Sequence, residues 1–395
     1  MDSNSVFPRI SLLVFLFICA AYNAVNAVNV FNIRDNNGIP DGKTDNSQAL
    51  LSTWEKACKV DGGTVLVPSG IYYVKSALLQ GPCIGQTIFS VMGTLMASAS
   101  PLTQESWIEF NQVDGLSITG NGVFDGQGSS TWAHNGNHNA KASSTCTASL
   151  KLKFVRNSSI EGITSKNSEM FHLHVNNCDG IVISHMSILA PKESPNTDGI
   201  HVSSSNNVRV SNVNIATGDD CISLGPGTTN IDISGITCGP GHGISIGSLG
   251  KYPDEKDVDG ITVPNCTLSN TLNGVRIKTW APSPPSIVSN VTFQDILLKN
   301  ADNPVIIDQQ YCPSNSCSHQ GDSRVQIKDV KFVNIHGSSS IPDAVNVVCS
   351  KSMPCQGIEF SGLNIIMNGN GQPTTATCSN VNADFLGNTV PTHCS

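Results

Sequence analysis

Apolar residues recur along the middle and end of this chain on a four-position template, i, i+2, i+5 and i+7. The template fits Ile181/Ile183/Met186/Ile188, Val208/Val210/Val213/Ile215, Ile231/Ile233/Ile236/Cys238, Ile261/Val263/Cys266/Leu268, Val291/Phe293/Ile296/Leu298 and Ile358/Phe360/Leu363/Ile365, with a weaker copy at Val330/Phe332/Ile335. Each pair at period two marks a short strand with one face inward, and the three-residue step marks a bend between two such strands. Successive copies start 27, 23, 30, 30, 39 and 28 residues apart. Spacing that varies while the template holds predicts stacked coils whose loops differ in length: an all-β, single-domain, right-handed parallel β-helix. A helical solenoid would need long runs at 3.6-residue periodicity, which the repeats lack, and a β-sandwich has no reason to repeat one template.

A second pattern is polar. The strands Ile200-His201-Val202, Ile222-Ser223-Leu224 and Ile244-Ser245-Ile246 follow one another at steps of 22 and 22 residues, and Asp198, Asp220 and His242 each stand two residues before one of them. Equivalent positions of a solenoid stack at about 4.8 Å, so two carboxylates and an imidazole would share one patch. Like charges that close raise at least one carboxyl pKa, which yields an acid and a base from one residue type. The same register points Val275 and Ile277 inward and leaves Arg276 and Lys278 outward, on the face of His201, Ser223 and Ser245. Four segments therefore meet: Asn196-Thr197-Asp198, Gly218-Asp219-Asp220, Gly241-His242-Gly243 and Arg276-Ile277-Lys278. Alone, each has an ordinary reading as corner residues, a turn or solvated charge. Their fall in consecutive coils on one face makes them a candidate active site.

A glycosidic bond breaks when one carboxylic acid protonates the leaving oxygen while a carboxylate activates water or attacks the sugar. The clustered aspartates can supply both. The chain carries a formal net charge of -8, so its bulk field would repel a polyanion, but salt confines that field to about 8 Å. Local contacts must then bind, and Arg276 with Lys278 suits a sugar carboxylate. A uronic acid polymer fits; nothing in the charge pattern suggests nucleic acid.

Composition fills in the ends. Only 13% of residues are charged and 35 are Gly, as tight corners between short strands require. Asp45-Asn46-Ser47 followed by Ala49, Leu50, Trp54 and Ala57 predicts a short capping α-helix over the N-terminal end of the core. Residues after about 366 lose the template and are expected to close the other end. Residues 1–27 read as a secretory signal peptide: Arg9 precedes the apolar run Ile10 to Ala21, too short for a membrane span, and Val25-Asn26-Ala27 offers a cleavage site. The mature chain, residues 28–395, would be the catalytic domain, extracellular and free of the membrane. It retains 13 cysteines, so at least one stays unpaired in an oxidising compartment. Close pairs are Cys221 with Cys238, Cys312 with Cys317, Cys349 with Cys355, Cys378 with Cys394, and Cys58 with Cys83, while Cys178 and Cys266 read as small buried hydrophobes. No cysteine spacing forms a paired metal-binding set, and no cofactor is implied. Asn157, Asn265 and Asn290 are glycosylation sequons.

The order N-T-D, G-D-D, G-H-G, R-I-K, with Gly239 to Ser248 around the histidine and Asp41-Gly42-Lys43-Thr44-Asp45 near the start, resembles the polygalacturonases of glycoside hydrolase family 28. The resemblance covers essentially the whole mature chain. It implies a right-handed parallel β-helix that hydrolyses α-1,4 bonds of polygalacturonic acid with inversion and without a metal. It also implies site roles: Asp219 as general acid, Asp198 and Asp220 as the pair that activates water, and His242 as the group that holds the acid in its working protonation state. Arg276 and Lys278 match the cations at the substrate carboxylate, Asn196 a conserved site residue, and Tyr311 a substrate-contacting tyrosine. Ser194 to His201 and Ser248-Leu249-Gly250-Lys251-Tyr252 are similar to plant pollen-type exopolygalacturonases, which implies exo action by a cell-wall enzyme; the chain is expected to be a monomer. The alternatives are an endo-acting enzyme, a calcium-dependent pectate lyase, and a secreted solenoid that only binds wall polysaccharide.

Overall fold

The computed structural model describes residues 29–100, 104–132, 147–313, 317, 321–369 and 371–394. The chain winds into a right-handed parallel β-helix with three ladders. The first runs from Val30–Asn32 to Val381–Leu386 and the second from Asp41–Asp45 to Asn364–Met367. Among the described residues the third has 11 strands, from Ala77–Gln80 to Thr375–Ser379. Every registered strand pairing is parallel, so each coil satisfies its backbone groups through the coils above and below.

The template residues are this core. Val208 and Val210 point inward from Asn206–Ser211, and Val213 and Ile215 do so across the bend into Asn214–Ala216, all buried. In the long strands Val258–Ser269, Ser286–Ala301 and Val325–Ser339 the first two ladders run on without a break. The weak copy has Gly337 in its fourth position, at φ +129°. A Cβ there would sit 1.9 Å from the Leu298 carbonyl oxygen, so the apolar side chain is lost to a close backbone approach.

Coils also exist where the apolar template is silent. Ser158/Ile160/Ile163/Ser165 occupy the four positions, and the serines are buried because they are bonded: Ser158 Oγ accepts from Leu116 N–H at 2.9 Å and Ser165 Oγ meets His172 Nδ1 at 2.9 Å. At the other end the expectation of a closing segment after 366 gives way. Thr375–Ser379 adds a strand to the third ladder and Val381–Leu386 one to the first. Phe385 ends a row of rings, Phe293, Phe332, Phe360 and Phe385, stacked at 5.4, 5.0 and 4.7 Å. Backbone pairing and ring stacking continue the coil where the four-position pattern stops.

The expected helix spans Ser47–Ala57. Its first turn is held by Asp45, whose Oδ1 accepts from Ser47 N–H at 3.0 Å and Oγ–H at 2.6 Å. Leu50, Trp54 and Ala57 are buried against the first coils, with the Trp54 ring edge-on to Phe110 at 5.4 Å. Disulfides join the five expected pairs, Cys58–Cys83, Cys221–Cys238, Cys312–Cys317, Cys349–Cys355 and Cys378–Cys394. Cys178 and Cys266 are buried free thiols, each pushed up to about 11 by burial. Asn157, Asn265 and Asn290 are exposed on the first two ladders, away from the third. The leader, residues 1–27, and Cys146 lie outside the described residues. Among the described residues no helix is long and apolar enough to cross a membrane.

Candidate active site

The third ladder carries the site on its outer face. Ile200, Ile222, Ile244 and Val275 pair in turn and point inward, and the next residues, His201, Ser223, Ser245 and Arg276, pair in turn and point outward. Asp198, Asp220 and His242 thus keep their common offset in successive coils, and Lys278 follows Arg276 on the same face.

Local backbone chemistry brings the loops close enough. A Cβ on Gly218 would lie 2.0 Å from the Ser194 carbonyl oxygen, and its own N–H donates to Thr197 Oγ1 at 3.0 Å, so the G-D-D turn is pressed onto the N-T-D turn. The Asp219 carbonyl accepts from His242 N–H at 2.7 Å, which sets the imidazole over Asp219. The Cys221–Cys238 disulfide ties the residue after Asp220 to the second ladder.

Neighbouring aspartates receive unlike environments. Asp219 is 23% exposed at its side chain, and its Oδ1 lies 3.2 Å from Nδ1 of His242, itself 33% exposed. Asp220 is 2% exposed. Its Oδ1 accepts from Arg276 Nη2 at 2.9 Å and Ser245 Oγ at 2.8 Å, and its Oδ2 from Lys278 Nζ at 2.7 Å. Burial opposes the charge of Asp220, but Lys278 and Arg276 overcome it and pull the carboxyl down to about 2. Lys278 in turn is held above its ordinary value: burial works against its charge, and Asp220 outweighs burial. Asp198 goes the other way. Burial, then the charges of Asp219 and Asp220, hold it well above the carboxylate range, against the pull of Ser223, which donates to its Oδ2 at 2.6 Å. The site therefore sets a carboxyl that resists ionisation beside one that resists protonation.

The remaining expected residues lie around this centre. Tyr311 covers the cations, with Lys278 Nζ 5.3 Å and Arg276 Cζ 6.0 Å from its ring centroid. Asn196 stands at the turn before Asp198 with φ +56°, a conformation Asn tolerates. On the side of His242 a cavity of about 470 Å³ opens between Lys192, Asn270 and Asp302. Arg276 and Lys278, read from sequence as substrate cations, are both paired with Asp220 here. Ser245 was legible only as an outward position; it links Arg276 Nε, at 3.2 Å, to Asp220. Asp219, Asp220 and His242 bring one ligating atom each within 4.8 Å of one another. Both Asp220 oxygens already accept from cations, whose charge opposes a further positive ion there.

Comparison with known proteins bears on the same arrangement. The family model described as glycosyl hydrolases family 28 matches residues 59–393. The chain belongs to that family. It is 45% identical over 370 residues to an exopolygalacturonase of Platanus acerifolia, covering 92% of this chain and 97% of that one. It is 42% identical over 394 residues to a polygalacturonase of Gossypium barbadense, covering 99% and 96%. Among solved structures, the endo-xylogalacturonan hydrolase of Aspergillus tubingensis superposes with a TM-score of 0.79 at 24% identity, over 91% of this chain and 100% of that one. At that identity the superposition speaks for the β-helix alone.

Proposed function

We propose that this family 28 protein is a secreted polygalacturonase that hydrolyses α-1,4 bonds of polygalacturonic acid from the chain end, by single displacement with inversion. The observation that carries the reading is the unequal treatment of adjacent carboxylates. Asp219 is open to the cleft beside His242, while Asp220 is buried and held ionised by Arg276 and Lys278. An acid must reach the leaving oxygen, and exposure makes Asp219 the donor. A base must stay charged in acid, which the two cations achieve for Asp220; Asp198, one coil away, completes the pair that orients water. His242 Nδ1 can exchange a proton with Asp219 at 3.2 Å. Arg276 uses Nε and one Nη toward the protein and has N–H donors to spare for a sugar carboxylate. Tyr311 and Asn196 flank the cleft as binding residues. The relatives named exopolygalacturonase support exo action, and five disulfides suit an oxidising, extracellular setting, where the chain works as a monomer at the cell wall.

Chromatography of the earliest products from a long oligogalacturonate tests this directly. Galacturonate monomer alone supports exo hydrolysis, and a spread of oligomers replaces it with endo action. Unsaturated products that vanish with a chelator would mean a lyase, and no cleavage at any pH would leave a wall-binding solenoid.

A further inference from the structure

Behind Asp198 lies a hydrogen-bond chain that the reaction scheme above does not use. His201 Nδ1 lies 2.7 Å from Ser223 Oγ, and Ser223 Oγ lies 2.6 Å from Asp198 Oδ2. When Asp198 is ionised it can only accept, so the single Ser223 hydroxyl proton goes to Asp198. Ser223 must then accept from His201, which fixes the imidazole as the Nδ1–H tautomer. The ring is also clamped. Phe171 stacks on it at 4.5 Å and 22°, and His174 leans on it at 5.0 Å. On another side Gly225 lies against the ring: a Cβ there would stand in contact at 3.4 Å from His201 Cε1 and Nε2. The next coil repeats the device with other residues, Arg276 to Ser245 to Asp220.

We propose that His201 and Ser223 are positioning residues that fix which oxygen of Asp198 faces the cleft and favour its ionised, base-competent form. The inference rests on the reading of Asp198 as half of the water-activating pair. Ser223 engages Oδ2 from behind, so Oδ1 is the oxygen left for water, and rotation of the carboxylate would break a bond between buried groups. The charged and titratable groups facing Asp198 are Asp219, Asp220 and Lys278; those facing His201 are Asp220, Lys278 and His174. Burial lowers His201 to about 4, so it stays neutral over the range where the trio works. The chain therefore donates a hydrogen bond without adding a cation that would compete with Lys278.

The test is the pH dependence of kcat and KM on trigalacturonate for Ser223→Ala, His201→Phe, Ser223→Thr and His201→Gln in the full chain. Ser223→Ala and His201→Phe should lower kcat about 10- to 100-fold with KM within about threefold. Both should move the acidic limb to higher pH, because losing the bond to its charged form raises Asp198 further. Ser223→Thr and His201→Gln, which keep a donor, should recover most of kcat. Native kcat and an unmoved acidic limb in Ser223→Ala and His201→Phe would overturn the proposal, as would equal losses in all four variants. A second readout does not need turnover: long-range ¹H–¹⁵N spectra of the native protein, above the pH where Asp198 ionises, should show His201 protonated at Nδ1, and Ser223→Ala should relax that preference. An Nε2–H tautomer in the native protein overturns the chain even if polygalacturonate is cleaved. Failure to cleave with the Nδ1–H tautomer intact refutes the enzymatic reading and upholds the chain.

Discussion

Aspartates occur both at the outer corners of this β-helix and on the outer face of its third ladder, and the two groups differ in what surrounds them. At the corners, Asp179 Oδ1 accepts from the amides of Asn206 and Asn207 at 2.9 Å each, and Asp259 Oδ1 from Ser289 and Asn290 at 2.6 and 2.7 Å. These bonds tie each coil to the next with water close by. On the third ladder, Asp198 and Asp220 are buried, crowd a third carboxylate, and face two cations on one side only. The residue type and the stacking are the same. What separates a corner tie from the Asp198 and Asp220 pair is burial beside unequal neighbours, which drives two carboxyl groups in opposite directions.

The largest effect expected from that contrast is catalytic. Asn at 198, 219 or 220 should lower kcat on polygalacturonate by about 10²- to 10⁴-fold each with folding intact, while Asp179→Asn and Asp259→Asn should leave kcat unchanged. Comparable losses at a corner and in the trio would erase the distinction. Next in size is Lys278→Met. It takes one of two cations from a buried carboxylate and leaves Arg276 as the other, so denaturant unfolding should show a loss of about 1.5–3 kcal/mol at neutral pH. That loss should shrink in acid. Asp220 has a lowered folded pKa, so its stabilisation is present above the unfolded value, ordinarily about 4, and disappears as pH falls toward about 2. A Lys278→Met penalty that does not change between pH 6 and pH 2 would show that packing, not charge, holds the lysine. The same substitution should harm turnover of de-esterified pectin more than of methyl-esterified pectin if Lys278 also reads the sugar carboxylate.

A smaller effect has the opposite sign. Asp198 has a raised folded pKa, so the folded protein is favoured with Asp198 protonated and loses stability as pH rises through that value. Asp198→Asn removes that penalty. Its melting temperature should exceed that of the native chain by a margin that grows from pH 4 to pH 7, although the variant is inactive; a lower melting temperature across that range would contradict the electrostatic account. Smallest of all, Asp179→Asn should shift stability by no more than about 0.5 kcal/mol, as surface substitutions do.

How far the sequence could be read depended on how each coil was filled. The template was visible where every inward position was aliphatic, as at Val208/Val210/Val213/Ile215. It was hidden where Ser158 and Ser165 took inward places by bonding Leu116 N–H and His172, and where Gly337 yielded to the Leu298 carbonyl. Past residue 366 the last strands, Thr375–Ser379 and Val381–Leu386, were missed because ladder pairing and one ring stack replace the pattern there. In the site, the offset of Asp198, Asp220 and His242 was legible because parallel coils preserve offsets.

Periodicity along the chain was enough to specify the stacked coils, the ladder that carries the acids and the residues that meet there, since a parallel register maps sequence spacing directly onto space. Which carboxyl is pushed up and which is held down was decided only in three dimensions. Asp219 and Asp220 are adjacent in the chain, and nothing in their order shows that one opens to the cleft while the other is enclosed by Arg276, Lys278 and Ser245. The pairing of both cations with Asp220 and the line from His201 through Ser223 to Asp198 are likewise tertiary facts. Burial and interatomic distance set the strength of charge interactions, and both arise only when separate coils close on one another.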